Sequence, residues 1–181
     1  MSSVSPYRII TVCTGNICRS PMAEFMLREA LSAEGLDSKV IVDSAGTTAY
    51  EVGRPIDPRA ARILTSHLIK SGTHVAREWK HSWFAERDLI LALDVDHYGW
   101  LREAAPDLVS RSKVRMFRSF DPDATGKHAL DQGIEDPWYG GHADFENAWS
   151  LIHAAIPGIV EHVMAELASR QLGEQQVRSI P

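Results

Sequence analysis

The segment that most constrains this chain is an apolar, β-branched run, Ile9-Ile10-Thr11-Val12, leading directly into Cys13-Thr14-Gly15-Asn16-Ile17-Cys18-Arg19-Ser20-Pro21. β-branched residues fit a pleated strand. Proline at the first helical position is pre-set in φ and gives up no needed N–H, so Pro21 is expected to open a helix. Residues 13–20 then lie at the C-terminal edge of a strand and wrap around a helix N-terminus. Open α/β sheets place their ligands there, where backbone N–H groups and the helix dipole attract an anion. The loop starts with a thiol, ends with the Arg19 guanidinium and carries the Ser20 hydroxyl beside it. Asn16, which tolerates the left-handed region better than most residues, can hold the loop open. A nucleophile facing a bound oxyanion is what such a set describes.

Length and composition narrow the class. The 181 residues, 44% hydrophobic and 24% charged, suit one globular domain with a core of its own. A net charge of −5 argues against nucleic acid as the main partner. Cys13 and Cys18, the two cysteines, form no disulfide framework and cannot close a four-ligand zinc site, which suits a reducing compartment. The first residues lack charge, and the apolar stretch after them is shorter than a secretory core. No run approaches the about 18 apolar residues of a membrane span. A soluble, cytoplasmic monomer without a membrane partner is expected.

Periodicity supplies the architecture. Met22, Ala23, Phe25, Met26, Ala30 and Leu31 recur at helical spacing, with Gly35 as the C-cap. Val40-Ile41-Val42 reads as a second strand ended by a turn over residues 43–47. One helix between two strands implies a parallel, right-handed βαβ unit, which brings that turn to the same edge as the Cys13 loop. Residues 57–69 read as a helix stopped by Gly72, and Trp79, Trp83 and Phe84 mark a short packing helix. Residues 89–93 form a continuous apolar strand covered on both faces. It ends at Asp94, read as the cap of the next helix rather than as a catalytic group. Residues 114–117 make a fourth, weaker strand. Residues 144–156 and 160–172 form a C-terminal helical stretch, bent or interrupted at Pro157-Gly158, with a polar tail over about 173–181. The expected fold is α/β: a single domain over 1–181 with an open sheet of four parallel strands flanked by helices on both faces. The anion-binding loop sits between the first strand and the first helix.

The motif Cys13-Thr-Gly-Asn-Ile-Cys-Arg-Ser-Pro resembles the phosphate loop of the low-molecular-weight protein tyrosine phosphatases, actinobacterial members above all. Later stretches extend the resemblance over nearly the whole chain. It implies that Cys13 is the nucleophile and that Arg19 and the N–H groups of Thr14, Gly15, Asn16, Ile17 and Cys18 hold phosphate. It further implies that Ser20 donates to the sulfur, that Ser44 of the Ser-Ala-Gly-Thr turn braces the loop, and that His74 of His74-Val75-Ala76-Arg77 is linked to Asn16. Tyr50 stands where many members carry Trp and would stack on substrate. Asp136-Pro137-Trp138-Tyr139 is similar to the family's Asp-Pro-Tyr-Tyr acid loop, which makes Asp136 the general acid and Trp138 and Tyr139 pocket walls with Ile17. The family also implies a reversible disulfide between Cys18 and Cys13. Plainer alternatives stand beside these: turn-forming roles for Ser44 and Asp136, a simple loop aromatic for Tyr50, and a small packing residue for Cys18.

The implied chemistry is specific. The helix end, the loop N–H groups and Arg19 favour an anionic nucleophile, which attacks phosphorus to give a phosphocysteine. Arg19 suits bidentate binding of equatorial oxygens, which lysine cannot reproduce, and the loop N–H groups meet the charge that builds up in the transition state. Asp136 protonates the leaving oxygen and then activates water, a contribution of about 10²–10⁴-fold. Helix end and arginine supply the positive field, so no metal or other cofactor is expected. The expected partners are tyrosine-phosphorylated proteins, since only a long side chain crosses a deep, aromatic-walled pocket. A thiol-dependent arsenate reductase is the nearest rival, but its relay needs further cysteines. A silent phosphotyrosine-binding module would have lost Cys13, Arg19 or Asp136. A nucleotide-binding loop is excluded because no Gly-Lys-Ser/Thr follows a glycine-rich loop.

Overall fold

The computed structural model describes residues 5–178. Four strands, β1 (Tyr7–Cys13), β2 (Val40–Gly46), β3 (Leu89–Ala92) and β4 (Val114–Met116), form one parallel sheet in the order β2-β1-β3-β4. The helices are α1 (Arg19–Ala33), α2 (Pro58–Ser66), α3 (Trp83–Glu86), α4 (Val95–Ala104), α5 (Leu108–Ser112) and α6 (His142–Arg178). Alternation along the strands builds two cores. Tyr7, Ile9, Leu89 and Leu91 pack with Met22 and Met26 of α1, Ile63 and Leu64 of α2, and Phe145 and Ile152 of α6. Ile10, Val12, Ile90 and Ala92 face the other way, onto Trp79, Trp83, Phe84 and Leu101. Helices therefore cover both faces, as the unbroken apolar strands require. The chain leaves β1 for β2 on one side and later takes β3 on the other. The order reverses around β1, the switch point at which open sheets form their ligand crevice.

Several boundaries differ from expectation. α1 begins at Arg19, not Pro21, which makes Pro21 the third helical residue; its missing N–H is still among those with no helical partner. β2 runs on through Gly46, because the continuing chain pairs with β1 as far as Gly46 opposite Cys13. α2 stops at Ser66, and Leu68 beyond it takes a left-handed φ of 64°. α5, capped by Asp107, was not expected. Gly35, at φ 68°, directly follows the C-cap residue Glu34 of α1.

The largest difference is α6, which is a single helix carrying Pro157 inside it. An internal proline costs about 3 kcal/mol. Ile152, Ala155, Ile156, Ile159, Val160 and Val163 are all buried around it, and that apolar surface outweighs the loss. α6 is long and apolar enough by length and composition to cross a membrane, yet its apolar stripe is part of the central core. The expected polar tail is helical as far as residue 178; residues 179–181 lie outside the described residues, as do residues 1–4 at the start of the chain.

Candidate active site

The loop between β1 and α1 is shaped mainly by Asn16. Its φ of 58° is left-handed, the conformation its short polar side chain tolerates, and the residue is fully buried. Asn16 Nδ2 donates to Ser20 Oγ at 2.9 Å and to Ser44 Oγ at 2.8 Å. Its Oδ1 accepts from the Arg77 backbone N–H at 3.0 Å, and its carbonyl accepts from His74 Nε2 at 2.7 Å. Ser44 in turn donates to the buried Glu24 carboxylate. Ser44 and His74 thus stand where the resemblance implied, both through Asn16. From the β2 end, Thr47 N donates to the Cys13 carbonyl at 2.9 Å and Thr48 N to the Thr14 carbonyl at 3.1 Å. Gly46 is required at this crossing, since a Cβ there would stand 2.6 Å from the Thr14 carbonyl oxygen.

With its carbonyls so engaged, the loop leaves the backbone N–H groups of residues 14–18 without a protein partner among the described residues. They lie at the N-terminus of α1, so they form a cradle for an anion. Cys13 ends β1, with its Sγ 3.0 Å from Ser20 Oγ. Cys18 is buried too, and its burial, with Asp57 next in weight, pushes its thiol well above the ordinary range. The Cys18 sulfur is therefore held as a thiol.

Arg19 is 3% exposed and points its fork across the cradle. Nη1 donates to Asp94 Oδ2 at 2.6 Å and to the Ile134 carbonyl at 2.9 Å; Nη2 donates to Asp136 Oδ2 at 2.8 Å. Burial works against its charge, but Cys13, Asp136 and Asp94 together hold its pKa above the usual arginine value. Asp94 does cap α4, accepting from the His97 N–H at 3.0 Å. It also holds Arg19, a role not anticipated from the sequence. Burial opposes the Asp94 charge, yet the His97 ring and N–H and the Arg19 guanidinium keep its carboxyl well below the usual range.

Asp136 forms the turn and also faces the Arg19 fork. Its Oδ1 accepts from Trp138 N at 3.1 Å, capping a 3₁₀ turn over Pro137–Tyr139, while its other oxygen reaches Arg19. The turn is fixed from α2 by Arg59, unremarked in the sequence. Arg59 donates to the Trp138 and Gly140 carbonyls at 3.1 Å each and pairs with Asp57. Asp57 caps α2 and donates its N–H to the Ile17 carbonyl at 2.8 Å, which joins the two loops. The resulting cavity has a volume of about 210 Å³. Its lining includes Cys13, Arg19, Asp136, Ile17, Tyr50, Trp138 and Tyr139. Tyr50 and Tyr139 are 85% and 95% exposed, a rim with surface left to cover. Among the described residues, no cluster of three or more His, Cys, Asp or Glu side chains is arranged to hold a metal ion.

A thiol and a buried guanidinium around an anion cradle, on the switch point of a parallel sheet, form a site that sets a sulfur nucleophile against a bound oxyanion. Comparison with known proteins makes this specific. The family model for low molecular weight phosphotyrosine protein phosphatase matches residues 8–171. A low molecular weight protein-tyrosine-phosphatase of Streptomyces coelicolor is 41% identical over 91% of this chain and 98% of its own. Low molecular weight protein-tyrosine phosphatase A of Mycobacterium tuberculosis is 44% identical over 90% and 95%. Among solved structures, a protein tyrosine phosphatase from Entamoeba histolytica with Hepes in its active site superposes with a TM-score of 0.81. It is 29% identical, covering 88% of this chain and 98% of that one. A Bacillus subtilis arginine phosphatase, solved with serine replacing cysteine and that active-site serine phosphorylated, superposes at 0.73. It is 26% identical over 87% and 95%. The chain belongs to the low-molecular-weight protein-tyrosine-phosphatase family and is an enzyme of that class.

Proposed function

We propose that this enzyme hydrolyses phosphotyrosine in proteins through a phosphocysteine on Cys13, with Arg19 and the loop N–H groups holding the phosphoryl group and Asp136 moving the proton. One observation carries the reading: the Cys13 thiol, the Arg19 fork and the Asp136 carboxyl line one cavity, and the loop N–H groups are left free around it. The approaching phosphate exchanges for Asp136 on Arg19 Nη2, while Asp94 keeps Nη1 fixed. Asp136, released but still tethered by its turn, takes up a proton from solvent and passes it to the leaving phenolate oxygen as Cys13 Sγ bonds to phosphorus. As a carboxylate it then takes a proton from water, whose oxygen attacks phosphorus and releases Cys13 and inorganic phosphate. Ser20, 3.0 Å from the sulfur, steadies the leaving thiolate. Tyr50, Trp138, Tyr139 and Ile17 form the walls that a tyrosine ring spans and a serine side chain cannot. The phosphoserine of the Bacillus relative supports transfer to the residue at the cysteine position. Both cysteines being free suits a reducing, cytoplasmic setting, with the protein acting as a monomer on tyrosine-phosphorylated proteins.

The test is phosphate release from phosphotyrosine and phosphoserine peptides, in EDTA, by wild type, Cys13→Ser and Asp136→Ala. Turnover of phosphotyrosine alone, abolished by the first change and lowered by about 10²–10⁴-fold by the second, is the expected result. Tight peptide binding without turnover by wild type would make the loop a receptor and overturn the catalytic reading.

A further inference from the structure

Beside the cradle, four side chains from two parts of the chain stand in a ring. Arg19 Nη1 donates to Asp94 Oδ2 at 2.6 Å. His97 Nδ1 stands 2.9 Å from Asp94 Oδ1, at ion-pair distance though not in line for a hydrogen bond. His97 Nε2 is 2.9 Å from Thr14 Oγ1, and Thr14 Oγ1 accepts from Arg19 Nη2 at 3.5 Å. His97 is 3% exposed, whereas Thr14 lines the cavity next to Cys13.

Donor and acceptor chemistry orders this ring. Nδ1 faces the Asp94 carboxylate, which only accepts, and Nε2 faces the Thr14 hydroxyl, so one imidazole ring spans the two. The Thr14 oxygen then turns its lone pairs to Arg19, whose other nitrogen is on Asp94. Arg19 donates to both Asp94 and Thr14, and the His97 ring spans the same two groups from the other side. The ring joins the first loop residue after the nucleophile to the guanidinium that meets the phosphate.

We propose that His97 is a positioning residue for phosphate binding, acting through Thr14 and Asp94 to lock the start of the phosphate loop to the Arg19 fork. The proposal rests on reading this cavity as the phosphate site. Pre-setting the fork against the loop removes reorganisation at the moment of binding. The phosphoryl group is held in both ground and transition states, so losing the lock weakens binding more than turnover.

The test measures kcat and KM for a phosphotyrosine peptide, and competitive inhibition by inorganic phosphate, in a double-mutant cycle. The cycle is built from wild type, His97→Asn, Thr14→Val and the double variant. Asparagine keeps a donor near the Nδ1 position but falls short of Thr14. His97→Asn is expected to raise KM and the phosphate inhibition constant about five- to tenfold, with a smaller change in kcat. His97→Gln, whose amide reaches the Nε2 position, is expected to restore both, and adding Thr14→Val to His97→Asn to raise neither further. An unchanged inhibition constant in His97→Asn, or effects that multiply in the double variant, would overturn the proposal. Should His97→Asn not fold, Thr14→Val against Thr14→Ser decides: only the valine should weaken phosphate, and equal constants refute the lock. A wild type inert to phosphotyrosine and blind to phosphate would overturn the phosphatase reading, and this proposal with it.

Discussion

Replacing Arg19 with lysine keeps the charge and removes the fork. Arg19 occupies a nearly closed site, 3% exposed, with Nη1 on Asp94 and the Ile134 carbonyl and Nη2 on Asp136. A single ammonium can stand in one of these places but not in both. Beside Asp94 it no longer reaches a phosphoryl oxygen; towards the cavity it leaves Asp94 without its partner. One charge-assisted hydrogen bond, about 1.5–3 kcal/mol, is therefore lost in the transition state, or about 10–150-fold in rate. A misplacement of about 1 Å adds about another 10²-fold. Arg19→Lys is expected to lower kcat/KM for a phosphotyrosine peptide by about 10³–10⁴-fold. The positive charge between the carboxylates survives, so stability falls far less; about 1 kcal/mol would move Tm by about 2–4 °C at this chain length. Steady-state kinetics with a thermal melt and titration of the Cys13 thiol separate the two effects. Activity within about threefold of wild type in a folded variant would refute the claim that the bidentate fork binds the phosphoryl group.

Other perturbations read other parts of the site. Gly46→Ala forces a Cβ to within 2.6 Å of the Thr14 carbonyl oxygen and 3.1 Å of the Gly15 carbonyl carbon; both are backbone, so an overpacking cost of about 1–3 kcal/mol and a loss of activity through a displaced loop are expected, and an unchanged melt and rate would contradict this. Asp94 has its folded pKa depressed below the unfolded value by His97 and Arg19 against the opposing effect of burial; its stabilisation is whole above the unfolded carboxylate pKa of about 4 and fades as pH falls through the folded value. Urea unfolding between about pH 5 and about pH 2 should therefore show a shallower acid loss in Asp94→Asn than in wild type, and parallel curves would refute it. Burial pushes the Cys18 thiol up, so iodoacetamide at neutral pH should label Cys13 first, as peptide mapping will show; first labelling at Cys18 would contradict the assignment. If Cys18 shields Cys13 as a reversible disulfide, Cys18→Ser should lose thiol-reversible recovery after peroxide, and unchanged recovery would remove that role.

Local chemistry was legible and distant chemistry was not. The strand, loop and helix around Cys13 lie within one short segment, so residue type and order suffice to place the thiol, Asn16 and Arg19 on one anion site. Ser44, His74 and Asp136 were reached through resemblance, because nothing in their own neighbourhoods distinguishes them from turn or surface residues. Asp94 shows what a local reading misses. Its capping role follows from its place at the end of a strand, but its second role depends on Arg19, 75 residues away in sequence. The three-residue spacing from Asp94 to His97, which puts a second polar side chain over the same helix end, was the one available signal. Arg59 was hidden in the same way, its carbonyl partners lying about the acid turn. At α6 a local rule was overridden. Pro157 marks a break by propensity, but burial of the surrounding apolar stripe outweighs it.

The central claim is that phosphate passes through Cys13. Asp136→Ala, slowed in hydrolysing the intermediate as well as in forming it, should be mixed with a phosphotyrosine peptide, quenched by rapid denaturation, digested and mapped by mass spectrometry. Phosphate on the peptide bearing Cys13, absent from Cys13→Ser and lost when wild type completes turnover, is the predicted result. Phosphotyrosine consumed with no phosphate on Cys13 at any quench time, or phosphate carried by another side chain, would contradict the account.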